Sequence, residues 1–225
     1  MNRKTLFLIS LLLSGCLGSF SQTPQQWRDS LAVLNKQISI TPYSSDLYLR
    51  KAAVNIELQQ WDYALDTYNE ILKKDPTNLA ALYYRAFVNG KMRRYDLSAS
   101  DYEKMLTFAP TNIEARLGLA YTYIKRGKPT DALDQYGLII EQHPDSAVAY
   151  ASRACLEEEM QRYDIALYDW EKAVELQPSN NDYIYSKTSL LIKMNRKKEA
   201  RECLEELVRR GVATGEIHSM LMQCK

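Results

Sequence analysis

The sequence predicts an all-α chain built as a solenoid of stacked helix–turn–helix units, and three observations carry that expectation. Five of the seven prolines, Pro42, Pro76, Pro110, Pro144 and Pro178, are spaced 34 residues apart with no insertion or deletion. Other columns keep the same step: small residues at Ser30, Ala64, Ser98, Ala132, Ala166 and Ala200, and bulky ones four residues later at Leu34, Tyr68, Tyr102, Tyr136, Trp170 and Leu204. The composition agrees. With 46% hydrophobic and 25% charged residues the chain matches an average folded protein, and 16 Tyr against 4 Phe suits half-exposed aromatic positions better than one deep core.

Residues 1–21 stand apart from this pattern. Arg3 and Lys4 precede an apolar run from Leu6 to Leu13 broken only by Ser10, and small residues follow, as in a secretory signal peptide. The run is shorter than the ~20 apolar residues a membrane-spanning helix needs. Two cleavage readings stand side by side. Ser19-Phe20-Ser21 offers small residues at alternate positions before Gln22. Leu13-Ser14-Gly15-Cys16 resembles a bacterial lipobox, with the leader ending at Gly15 and Cys16 lipidated. Either cut leaves Cys155, Cys203 and Cys224, for which a Cys203–Cys224 disulfide and buried free thiols are both open readings.

Residues 22–44 read as one unpaired helix, at about 24–40, forming an N-terminal half repeat. Five full units follow at 45–78, 79–112, 113–146, 147–180 and 181–214, and 215–225 forms a C-terminal capping helix. In each unit a second small column, Ala52, Ala86, Ala120, Ala154 and then Thr188, lies on the first helix. Small residues on both helices let their backbones approach, and the bulky column fills the remaining groove. Proline cannot continue a helix interior and so punctuates the end of each second helix. Two residues later stand Ser44, Asn78, Asn112, Ser146 and Asn180, whose side chains suit the N-cap of the next helix. An aromatic column, Trp27, Trp61, Tyr95 and Tyr163, interrupted by Pro129, precedes the first small column.

With this period, this small–bulky–proline spacing and the motif Trp61-Asp62-Tyr63-Ala64-Leu65, echoed by Tyr163-Asp164-Ile165-Ala166-Leu167, the chain resembles the tetratricopeptide repeat (TPR) family. HEAT and armadillo units run longer. The sequence departs from the family pattern in places: Ala or Thr replaces the first-helix glycine, Ser98 an alanine, and the fifth unit ends Gly211-Val212 without proline. The resemblance implies a right-handed superhelical solenoid whose first helices line a concave, ligand-binding groove. Carried over position by position, the groove residues are Leu49, Tyr83, Phe87, Leu117, Tyr121, Ile124 and Tyr185, with Lys91, Lys125 and Glu158 at the rim. Aromatic anchors inside a charged rim are the composition of protein-binding hot spots. Tyr83, Phe87 and Tyr121 are the strongest of these, whereas small or aliphatic groove positions such as Ala53 and Ile56 suit packing. The carboxylate clamp of chaperone-binding relatives is not expected, because its positions carry Leu49, Ala53, Tyr84, Glu114 and Gly118.

Other function classes find little support. A formal net charge of +1 gives no long-range footprint for nucleic acid or an acidic lipid surface. The basic runs at Lys91–Arg94, Lys125–Lys128 and Lys193–Lys198 sit where first helices end and complement the helix dipole. With His143 in an inter-repeat turn and His218 in the last helix, no catalytic residue is assigned, and neither a metal site nor a cofactor is expected. The sequence therefore reads as an exported, non-catalytic scaffold of the bacterial cell envelope that binds a peptide segment or helix of a protein partner. The expected location is the periplasm, with any contact to the outer membrane made through a lipid on Cys16. The alternative is a lipid-anchored accessory subunit of an outer-membrane assembly acting through its basic edge. Oligomeric state is left open.

Overall fold

The computed structural model describes residues 23–224, and the leader with Cys16 lies outside them. Twelve helices occupy the described residues: α1 Pro24–Ile40, α2 Ser45–Glu57, α3 Trp61–Lys74, α4 Leu79–Lys91, α5 Tyr95–Phe108, α6 Ile113–Lys125, α7 Pro129–Gln142, α8 Ala147–Glu159, α9 Tyr163–Leu176, α10 Asn181–Lys193, α11 Lys197–Arg209 and α12 Thr214–Gln223. The all-α repeat class read from the sequence is the one observed. None of these helices is long and apolar enough to cross a membrane. The chain divides into two compact units, one ending at Thr122 and the other beginning at Tyr123.

The periodic columns are the core. Ala64, Ala132, Ala166 and Ala200 on the second helices, and Ala52, Ala86, Ala120, Ala154 and Thr188 on the first, have no exposed area. The bulky column is buried throughout, from Leu34 and Tyr68 to Trp170 and Leu204. Each such side chain contributes roughly 1.5–3 kcal/mol of hydrophobic stabilisation, which individual helices of 13 or 14 residues lack in isolation.

Helix ends follow local chemistry. Thr23 closes a capping box with Gln26: its hydroxyl accepts from the Gln26 N–H, and the Gln26 carboxamide accepts from the Thr23 N–H at 2.7 Å. Asn78, Asn112 and Asn180 cap α4, α6 and α10 through their side-chain oxygens. Ser44 and Ser146, expected to do the same, make no side-chain cap bond. The residue before each repeat-ending proline leaves the helical region, as at Asp75 (φ −133°, ψ 87°) and Gln177 (φ −130°, ψ 71°), because the ring clashes with a helical predecessor.

The turn within each unit is equally regular. Gln59, Arg93, Gly127, Gln161 and Asn195 all have φ between 56° and 70°. At each, the following N–H reaches back across the left-handed residue, as Gln60 N does to Asn55 O and Arg94 N to Asn89 O, both at 2.8 Å. This is the Schellman closure, and its last residue is already the N-cap of the second helix. Only Gly127 adopts that backbone without a Cβ penalty; the other four accept about 1 kcal/mol of strain for a sharp reversal.

Candidate functional site

In the first unit the groove positions fall on α2, α4 and α6. Leu49 is half-buried. Tyr83 is held edge-on between Tyr84, at 5.2 Å between ring centres, and Tyr102, at 5.8 Å. Tyr84 in turn stacks on Tyr68 at 6.2 Å. Four rings therefore run from α3 through α4 to α5, and Tyr83 is the one among them expected from the sequence to face a groove. Burial raises the Tyr83 phenol pKa, and the nearby Glu114 carboxylate raises it further. Burial, with Tyr83 beside it, pushes the Tyr84 phenol up to about 12. These phenols stay neutral hydrogen-bonding groups and do not act as bases.

Tyr102 reaches α6 at Gly118, where an added Cβ would stand 2.7 Å from both Cε1 and the hydroxyl oxygen. Gly118 is thus the socket for Tyr102, a role the sequence did not disclose. Phe87 is half-buried, and the Lys91 ammonium one turn on lies 5.2 Å from its ring centre. Leu117 is half-buried, whereas Tyr121 is 53% exposed. Of the three strongest groove residues, Tyr83 is tied into packing, Phe87 is partly covered by Lys91, and Tyr121 presents the most surface.

In the second unit Ile124 is half-buried and Lys125 exposed. Glu158 is engaged from within, accepting a 2.6 Å hydrogen bond from the Trp170 indole N–H. Tyr185 packs against the core that contains Trp170, Leu190 and Leu191. Cys155, Cys203 and Cys224 are free thiols. Burial pushes the Cys155 thiol pKa up, and the carboxylates of Glu158 and Glu159 add to it, so this sulfur is a poor nucleophile. No group of three metal-ligating side chains occurs among the described residues.

Sequence reasoning also missed two ion pairs between half-buried arginines and buried acids. Arg85 Nε and Nη2 grip Asp101 at 2.8 and 2.6 Å, and Arg153 Nε and Nη2 grip Asp169 at 2.7 Å each. Both acids are buried, Asp169 completely. The pairs sit at equivalent positions two repeats apart, which was the available signal: arginine followed by aspartate 16 residues later, recurring at twice the period.

Family models described as tetratricopeptide repeat match residues 46–78 and 91–155. A comparison with curated proteins finds no match. Among solved structures, a MamA protein superposes with a TM-score of 0.65 at 17% identity, covering 76% of this chain and 94% of its own. A tetratricopeptide repeat protein from Parabacteroides merdae gives 0.63 at 21% identity, covering 89% and 78%. A thermophilic TPR protein from Thermus thermophilus gives 0.62 at 16% identity, covering 84% and 98%. At these identities the likeness is one of fold, and the matched models identify tetratricopeptide repeats at residues 46–78 and 91–155.

Proposed function

We propose that the chain is a protein-interaction scaffold that holds a peptide segment or helix of a partner against the first helices of its repeats and performs no chemistry of its own. The observation that carries the reading is Tyr121, a large aromatic side chain 53% exposed on α6. Phe87 and the Lys91 ammonium over it supply a second apolar anchor with a cationic edge on α4. A preformed helical surface of this kind binds without an ordering cost on its own side. Leu117 extends the apolar surface beside Tyr121, and Ile124 and Tyr185 are the corresponding candidates of the second unit.

The test is affinity for partners captured from native cell envelopes by crosslinking. Tyr121→Ala, matched to wild type in helicity, is expected to lose at least about 1 kcal/mol of binding, several-fold in affinity. Unchanged affinity would remove Tyr121 from the site. The reading also places the protein outside the cytoplasm, on the strength of the leader-like residues 1–21. The lipobox-like Leu13-Ser14-Gly15-Cys16 favours a second version, a lipid-anchored subunit of an outer-membrane assembly acting through its basic edge. Membrane fractionation separates them: Cys16→Ser releases a lipid-anchored protein and leaves a periplasmic one where it was.

A further inference from the structure

The second unit contains a cleft lined by α7, α8 and the start of α9, and no groove residue contributes to it. Its origin lies in one missing side chain. Position 137 belongs to a column that carries Asn35, Asn69, Glu103 and Glu171 at one-period steps, but here it is glycine. A Cβ built on Gly137 would meet nothing within 4 Å.

The twin site in the first unit shows what the missing side chain would do. There, Arg85 directs Nε and Nη2 to Asp101, and its Nη1 donates to the carboxamide oxygen of Asn69 at 2.7 Å. Asn69 and Gly137 occupy the same repeat position, as do Arg85 and Arg153. Arg153 repeats the two bonds to its own acid, Asp169, but its Nη1 has no hydrogen-bond partner among the described residues. Arg153 and Gly137 both line the cleft.

The rest of the lining selects the occupant. Asp134, Glu141 and Glu157 bring three carboxylates to the same cleft. Glu157 is 5% exposed and receives one contact, from Arg162 Nη1 at 3.4 Å, so its oxygens retain acceptor capacity. An anion on Arg153 would face these carboxylates, and a cation would face the guanidinium. A neutral group with one acceptor and two donors satisfies both kinds of lining, and a carboxamide has that inventory. Leu133 and Ile165 add apolar wall for the methylene that carries it.

We propose that this cleft is a docking notch for an asparagine or glutamine side chain of a partner protein, whose carboxamide oxygen accepts from Arg153 Nη1 as Asn69 does for Arg85, while its amide donates to the notch carboxylates. The notch is a binding site separate from the aromatic positions of the first helices, and it stands or falls independently of them.

The test is a titration of the isotope-labelled full chain with N-acetyl-asparagine N-methylamide, whose only primary carboxamide is the side chain, followed by nuclear magnetic resonance at the Gly137 amide and the Arg153 guanidinium. The expected result is a saturable shift at both, at least about tenfold weaker with N-acetyl-alanine N-methylamide, which has no primary carboxamide, because a site arranged to hydrogen-bond a group rejects the analogue without it. Gly137→Asn should fill the notch from inside and abolish the response. Arg153→Lys, which keeps the charge but not the planar fork, should abolish it as well and covers the case in which the first variant folds poorly. The proposal is overturned if no saturable shift occurs, which would mean that water alone occupies the cleft. It is equally overturned if the alanine compound binds as well, or if the response survives in both variants.

Discussion

The first unit and the second use the same repeat to different ends. Around Arg85 every guanidinium contact is internal, with Asp101 on one side and Asn69 on the other. Around Arg153 the buried acid is kept, Asp169 having no exposed area, but the neighbouring carboxamide is replaced by Gly137. The tyrosines contrast as well. In the first unit Tyr68, Tyr84, Tyr83 and Tyr102 form a continuous series of ring contacts ending in the Gly118 socket. In the second, Trp170 contacts Tyr183 at 6.1 Å and turns its indole N–H to Glu158. A repeat therefore constrains which positions face inward, not whether a given inward position is closed or open to a ligand.

The largest effect should come from the acids. Asp169→Ala removes the completely buried acid that holds Arg153 through two hydrogen bonds, leaving only the cleft carboxylates beside the guanidinium, and is expected to cost about 3 kcal/mol in urea unfolding. Asp101→Ala should cost less, on the order of 2 kcal/mol, because Arg85 keeps the Asn69 oxygen. Equal losses would mean that the two sites do not differ in the way their partners suggest. Next comes Gly118→Ala, whose methyl group overlaps the Tyr102 ring and should destabilise by about 1–3 kcal/mol. Pairing it with Tyr102→Leu, which clears the socket, should recover part of the loss.

Alkali should separate the units by another route. Burial raises the phenol pKa values of Tyr68, Tyr84 and Tyr102 from 10.0, with Tyr84 at about 12. In the second unit Tyr136 is raised to about 12 by burial, with Cys155 and Glu159 adding to it. The folded chain holds these phenols neutral while the unfolded chain ionises them near the ordinary value. The associated stability is intact below pH 10.0 and is lost as pH rises towards the folded-state values. With more raised tyrosines, the first unit should open first, as read by hydrogen exchange across a pH series. The smallest effects are gains. Gly137→Ala, in the interior of α7 with open space beside it, should add about 0.5–1 kcal/mol. Gln161→Gly should add several tenths to about 1 kcal/mol by relieving its φ of 61°.

Much of this was legible beforehand. Helix identity, the buried small and bulky columns and the stops before proline all follow from spacing, because each depends on residues within a turn or two of one another. Capping was only half legible: asparagine and serine look alike as N-cap residues, yet Asn78, Asn112 and Asn180 cap while Ser44 and Ser146 do not. The candidate groove residues were legible as positions on helices. Which of them packs inward was not: Tyr83 has two rings against it, whereas Tyr121, one period after Phe87, is 53% exposed.

What the sequence by itself determined is the period and everything periodic, since a 34-residue step places the same side chain on the same helix face each time. Partners were decided by tertiary structure. Arg85 with Asn69, Tyr102 with Gly118 and Trp170 with Glu158 are joined across helix interfaces, where rotamer and backbone approach choose among several residues of suitable chemistry. For the same reason a glycine at position 137 reads in the sequence as one more small residue. Only the packed helices around it leave Arg153 Nη1 in an open cleft with no hydrogen-bond partner among the described residues.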